Sequence, residues 1–323
     1  MATTDRKFWN EYYGFWDDFV RKWFENRPND PTDNVSVSYN AAVPQITFDE
    51  LPTPYLGAPD TGVSAVIINL NPGLSETIGF GDFAGRNSDE TQYWSNLNNP
   101  IGWMIREFRD RKHLSYREYV NEWSCLNPAL LDSAKYPQWC CGVHWWQGYE
   151  SERIQRNLRR QCSRHNMRIP WLQQVYNNSH INALNVFALE LCPFHSKRFS
   201  LSRGEEDVLV PFIQKRVFLP AAMAVKENDL PFAVAVGLDV GSVISAAGAQ
   251  LEKEWAPVSL PCWPTGRNGK CVRRKYRMYK VELEDGLMAR VLVTFAPGGC
   301  AAPSREFDMV EESVRVWVEN NPM

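Results

Sequence analysis

Residues 63–73, VSAVIINLNPG, decide the fold. Val63, Ala65, Val66, Ile67 and Ile68 make a short apolar run rich in β-branched side chains, and Asn71, Pro72 and Gly73 end it abruptly. A short apolar run without alternation, closed by turn residues, predicts a strand buried on both faces of a sheet. Ligands of open α/β sheets bind at the carboxyl ends of the strands, so Asn71 is expected where chemistry would occur. The plainer reading is a strand-end turn in which the Asn caps a helix.

Working outward, residues 182–192 (NALNVFALELC) read as a second buried strand, running into the loop Pro193–Arg198. Residues 232–237 (FAVAVG) read as a third. Residues 277–284 and 289–295 alternate as strands around the turn Asp285-Gly286. Phe8, Trp9, Tyr12, Phe15, Trp16, Phe19, Trp23 and Phe24 recur at spacings of three and four, which predicts a helix packing an aromatic face on the core. Residues 91–111, 207–225, 238–250 and 307–319 read as further helices. Apolar strands alternating with helices predict an α/β fold with a mostly parallel sheet covered on both faces. Loops after Asn71, Pro193 and Pro297 would then meet on one edge. Residues 1–50 are read as an N-terminal helical extension. Residues 51–323 are read as one α/β domain with a helical insertion at about 98–180, which no low-complexity linker sets apart.

The 323 residues are 44% hydrophobic, enough for a substantial core. A net charge of −3 gives no global attraction to nucleic acid, so any such affinity must come from a local patch. Thirteen Trp are available for packing or for stacking on bases. The first residues lack a signal-peptide core, and no apolar run approaches a membrane span. A soluble cytoplasmic protein is expected, with no membrane association and no obligatory protein partner. The eight Cys form no dense framework and read as free thiols.

Asn71-Pro72-Gly73-Leu74, followed by Gly79-Phe80 and Phe83-Ala84, resembles the first motif of the uracil-DNA glycosylase superfamily, nearest its mismatch-specific uracil/thymine branch. Pro54–Asp60, Trp145-Trp146 and Cys192–Arg198 add a resemblance to uncharacterised bacterial uracil-DNA-glycosylase-like proteins. The islands fall between about residues 52 and 300. The resemblance implies a three-layer α/β/α sandwich around a four-stranded, mostly parallel sheet. It also implies hydrolysis of a base–sugar bond in DNA, without a cofactor.

Breaking that bond builds positive charge on the sugar and negative charge on the base. It calls for a positioned water on one side and hydrogen-bond donors on the other. By the resemblance, Asn71 holds the water, Gly73 lets the base approach the backbone, and Phe83 stacks on the extruded base. Phe83 also reads as plain core packing. Glu190 stands where the family carries a base-reading residue, often Asn. As an acceptor it would suit the amino group of cytosine. It also reads as a buried partner of an Arg, or as a side chain on the far face of the sheet. The family's second motif, His-Pro-Ser, is matched here by Ala296-Pro297-Gly298, without the His. His195 is the candidate replacement donor.

Residues 267–277 hold Arg267, Lys270, Arg273, Arg274, Lys275 and Arg277 with no acid among them, the pattern of a phosphate-contacting loop. Lys197 and Arg198 form a smaller cluster. Cys140, Cys141, His144, Cys162 and His165 include a Cys-x-x-His pair, but their spacing matches no cluster motif of the family, and no metal is expected. The leading expectation is a monofunctional DNA glycosylase that flips a modified or mismatched pyrimidine. Bulky modified cytosine in phage DNA and uracil in repair are the substrates in view. A non-catalytic DNA-binding protein of the same fold and a nucleoside hydrolase are the alternatives.

Overall fold

The computed structural model describes residues 3–26, 46–47, 54–57, 59, 62–69, 171–181, 185–196, 206–236, 243–256, 262–265, 270–273, 275–283, 286–294 and 307–322. In chain order the elements are α1 (Thr3–Asn26), β1 (Ile46–Thr47), β2 (Tyr55–Leu56), β3 (Ala65–Asn69), β4 (Val186–Glu190) and β5 (His195–Ser196). Then come α2 (Glu206–Ile213), a π-helical segment (Gln214–Phe218), α3 (Leu219–Glu227), β6 (Ala233–Val236) and β7 (Gln250–Trp255). The last are β8 (Cys262–Thr265), β9 (Lys270–Arg273), β10 (Tyr276–Glu282), β11 (Met288–Thr294) and α4 (Glu311–Asn320).

The main sheet has the order β2-β4-β3-β6-β11-β10-β7. Its four inner strands β4, β3, β6 and β11 are parallel, whereas β2, β10 and β7 pair antiparallel. The class is α/β, as expected, but the sheet is mixed and seven-stranded where four strands were expected. The opening stretch forms β3, and all five of its residues are buried. That is what an inner strand covered on both sides requires.

Alternation along the strands sorts the core into two faces. Val66, Ile68, Phe187, Leu189, Ala235 and Val293 join α1, α2 and α3 in one apolar cluster. Ala65, Ile67, Val186, Val234 and Leu292 join Trp171, Val175, Phe307 and Val314 of α4 in the other. On α1, the buried Trp9, Tyr12, Tyr13 and Trp16 form the aromatic face that the spacing predicts. The Trp9 ring meets Phe187 of β4 edge-on at 6.0 Å, and its Nε1 donates to Glu227 at 2.7 Å.

Against the sequence reading, which saw no run approaching a membrane span, the helical stretch Val208–Glu227 is by length and composition apolar enough for one. Its apolar side chains, among them Leu209, Ile213 and Phe218, are instead buried against the sheet. The π segment within it has a local cause. Pro220 has no N–H, and its ring crowds the carbonyl four residues back. The Leu219 N–H bonds the Gln214 carbonyl five residues back instead.

Two elements depart from the sequence reading. The helix expected over 238–250 is described only as a helical turn at 243–246; Gly248 then turns with φ +80°, and β7 begins at Gln250. β7 reads QLEKEW and is mostly exposed. An edge strand pairs through its backbone, and charged side chains there guard against aggregation, so no apolar pattern announces it. In addition, part of the basic stretch read as a loop is strand: β8 and β9 pair as a hairpin from Cys262↔Arg273 to Thr265↔Lys270.

At the other edge of the sheet, Gly57 adopts φ +94°, and a Cβ there would lie 2.4 Å from the Val186 carbonyl oxygen. Only glycine lets the chain leave β2 so close to β4.

Candidate active site at the carboxyl edge of the sheet

Counted along the chain, the four parallel strands lie in the order second, first, third, fourth. In such sheets the crevice for ligands opens where the order reverses, between the first and third strands. Here these are β3 and β6. β3 ends at Asn69 and its other neighbour β4 ends at Glu190, and the two are register partners. Asn69 Nδ2 donates to Glu190 Oε1 at 3.0 Å, and Asn69 is only 8% exposed.

By alternation Asn69 and Glu190 share the face of Ala65, Ile67 and Val186. Glu190 therefore lies on Asn69's side of the sheet, and the partner seen for it is an Asn. The backbone ties the two strand ends together as well. The Leu191 N–H donates to the Asn69 carbonyl at 2.9 Å, and the Glu190 N–H to the Pro54 carbonyl at 3.0 Å. A carboxylate held this way presents acceptors to amino hydrogens. It repels carbonyl oxygens.

Beyond Glu190, Leu191, Cys192, Pro193 and Phe194 are all buried. Phe194 packs against Phe19 of α1 at 5.9 Å. Burial pushes the Cys192 thiol well up. Its contact with the Phe194 carbonyl opposes this weakly, and the charge of Glu190 adds to it. Both its burial and this shift disfavour the reactive thiolate. His195 lies in β5 and pairs with Thr47 of β1, so its backbone belongs to a two-residue ladder rather than an open loop.

The basic stretch joins the same edge. Tyr276, the first residue of β10, pairs with Thr294, the last of β11, and with Trp255, the last of β7. Because β11 is parallel to β3, the β8–β9 hairpin attaches to the sheet at the carboxyl edge that carries Asn69 and Glu190. β3 and β10 are three strand spacings apart, about 14 Å. Lys275 and Arg277 both contact Glu254 of β7, with Lys275 Nζ 3.5 Å from its Oε2. Burial alone would raise the Glu254 pKa. The hydrogen bond from Arg277 and the charges of Arg277 and Lys275 outweigh it and hold the carboxyl below its usual value.

Of the residues singled out in the sequence, Glu190, Lys275 and Arg277 are described with their side chains. His195, Lys270 and Arg273 are described in their backbone pairing. Asn71, Gly73, Phe83, Lys197, Arg198, Arg267 and Arg274 lie outside the described residues, as do the five Cys and His weighed for zinc and the Pro297 loop. Among the described residues no group of His, Cys, Asp or Glu could hold a metal. Sequence reasoning missed Asn69 and Glu254. Asn69 had one available signal: it and Glu190 each close an apolar run of similar length. Glu254 had none, because its partners are 21 and 23 residues away along the chain. Comparison of the chain with protein-family models, curated proteins and solved structures finds no match.

Proposed function

We propose that this protein is a monofunctional DNA glycosylase of the uracil-DNA glycosylase type, which flips a pyrimidine out of DNA and hydrolyses its N-glycosidic bond. One observation carries the reading: a part-buried Asn69–Glu190 pair closes two adjacent parallel strands at the edge to which the basic β8–β9 hairpin attaches. The four inner parallel strands, with apolar clusters on both faces, support the α/β/α core that the resemblance implies.

In this reading Asn71, two residues past Asn69, holds the attacking water, and an Asn suffices because positioning matters more than deprotonation in a dissociative reaction. Gly73 and Phe83 receive the base, and Glu190 accepts from its amino group. His195 donates to the leaving base in place of the absent second-motif His. Lys197, Arg198, Arg267, Lys270, Arg273, Arg274 and Lys275 contact phosphates. No cofactor takes part.

The test is incubation with single- and double-stranded oligonucleotides carrying uracil, mismatched thymine or modified cytosines, and with glycosylated phage DNA, followed by alkaline cleavage. Abasic sites that vanish in Asn71→Ala are expected. The enzyme reading fails if no base is released. Ala296 in place of the motif His favours a second reading, a DNA-binding protein without catalysis. Salt-dependent duplex binding without any abasic product identifies it.

A further inference from the structure

We propose that Lys275, Glu254 and Arg277 form a phosphate seat for duplex DNA, in which Glu254 holds the place of a backbone phosphate until the nucleic acid displaces it. The inference rests on the DNA-binding part of the proposed function and names where and how that binding is gated.

One carboxylate oxygen, Glu254 Oε2, is shared by two cations, with Lys275 Nζ on one side and Arg277 Nε on the other. Two donors converging on a single anionic oxygen is the arrangement that receives a phosphate oxygen. The side chains of Lys275, Glu254 and Arg277 are 30%, 35% and 25% exposed, so the seat is open to solvent and to a ligand. Exposed ion pairs contribute little, so a phosphate can exchange for the carboxylate reversibly.

Charge favours DNA as the occupant. Arg277 and Glu254 are register partners one step from the carboxyl edge. By alternation with Tyr276 and Trp255, the two side chains lie on the face of Tyr279 and Val281, opposite that of Asn69 and Glu190. Residues 267–277 carry six cations and no acid, and among the described residues Glu254 is an acid that the fold brings across to two of them. It lowers the charge of the basic face and selects ligands whose phosphates fall between the two cations.

The experiment measures equilibrium binding of a labelled duplex by fluorescence anisotropy between about 50 and 200 mM salt. Glu254→Gln keeps the shape and removes the charge. The expected result is binding about two- to tenfold tighter than the parent, with a salt slope steeper by roughly one to two. Adding Lys275→Ala to Glu254→Gln removes most of that gain, and Lys275→Ala alone weakens parental binding. Glu282→Gln is the matched control: it removes an exposed acid five residues along β10, about 17 Å away and beyond a Debye length. It leaves affinity nearly unchanged.

Duplex binding that Glu254→Gln fails to tighten, or that Glu282→Gln tightens equally, overturns the seat while the DNA reading stands. A preference for duplex RNA of the same sequence overturns DNA as the occupant. A parent protein with no salt-dependent duplex binding removes the DNA reading and the seat together.

Discussion

Asn69 and Glu190 are coupled through one hydrogen bond, and the coupling can be measured without knowing the substrate. The bond is 3.0 Å long, the acceptor is a carboxylate, and the donor is 8% exposed. Hydrogen bonds to charged groups contribute about 1.5–3 kcal/mol, more than neutral ones. Asn69→Ala removes this donor from a part-buried carboxylate. A cost of about 2–3 kcal/mol is expected. Glu190→Ala removes the charge, and the double variant removes both. If the bond is what each single variant loses, the cycle returns a coupling of about 1.5 kcal/mol or more. Urea unfolding of the four proteins, followed by tryptophan fluorescence, is the assay. The same variants separate structure from recognition. Glu190→Gln keeps an acceptor oxygen for Asn69 and so costs little stability. If Glu190 accepts from an amino-bearing base, that variant still slows its release roughly 10- to 150-fold, the equivalent of one charged hydrogen bond. A coupling below about 0.3 kcal/mol would refute the pairing. Unchanged release by Glu190→Gln would refute the base-reading role.

Three further outcomes are expected. The Tyr176 hydroxyl sits between β3 and β6, contacting the Phe232 carbonyl at 2.8 Å and the Val66 carbonyl at 3.1 Å, and it accepts from the Val66 N–H. Tyr176→Phe should cost about 1–3 kcal/mol and speed hydrogen exchange at the Val66 amide, whereas a change under about 0.5 kcal/mol would show that the hydroxyl closes no gap in the ladder. Glu254 has a folded-state pKa below its ordinary 4.5, so its contribution is present above that value and is lost as pH falls through the lowered one. Because the group is largely exposed, the loss should stay under about 1 kcal/mol and be absent in Glu254→Gln; acid titrations of stability that coincide for the two proteins would contradict it. The buried Cys192 should resist alkylation in the native state at neutral pH and react once the chain is unfolded, as peptide mapping by mass spectrometry would reveal.

Much of the scaffold could be read from residues alone. β3, β4 and β6 are inner strands flanked by sheet on both sides, with an apolar cluster on each face, so nearly every position must be apolar, and a short apolar run is the visible result. α1 was legible for a related reason: its buried Trp9, Tyr12, Tyr13 and Trp16 recur at helical spacing. The resemblance around Asn71 likewise rests on a strand end that the residues themselves announce.

Other features depended on the assembled fold. β7 is invisible in the sequence because an edge strand is held by backbone pairing to β10, which sets no apolar pattern. The Asn69–Glu190 bond joins residues 121 apart, and only the parallel register of β3 and β4 brings them level. The six cations of residues 267–277 look unopposed along the chain, yet the antiparallel register of β7 and β10 sets Glu254 against two of them. Burial leaves its mark on every buried residue and can be read locally. Pairing is a relation between distant segments, and it exists only once the sheet has formed.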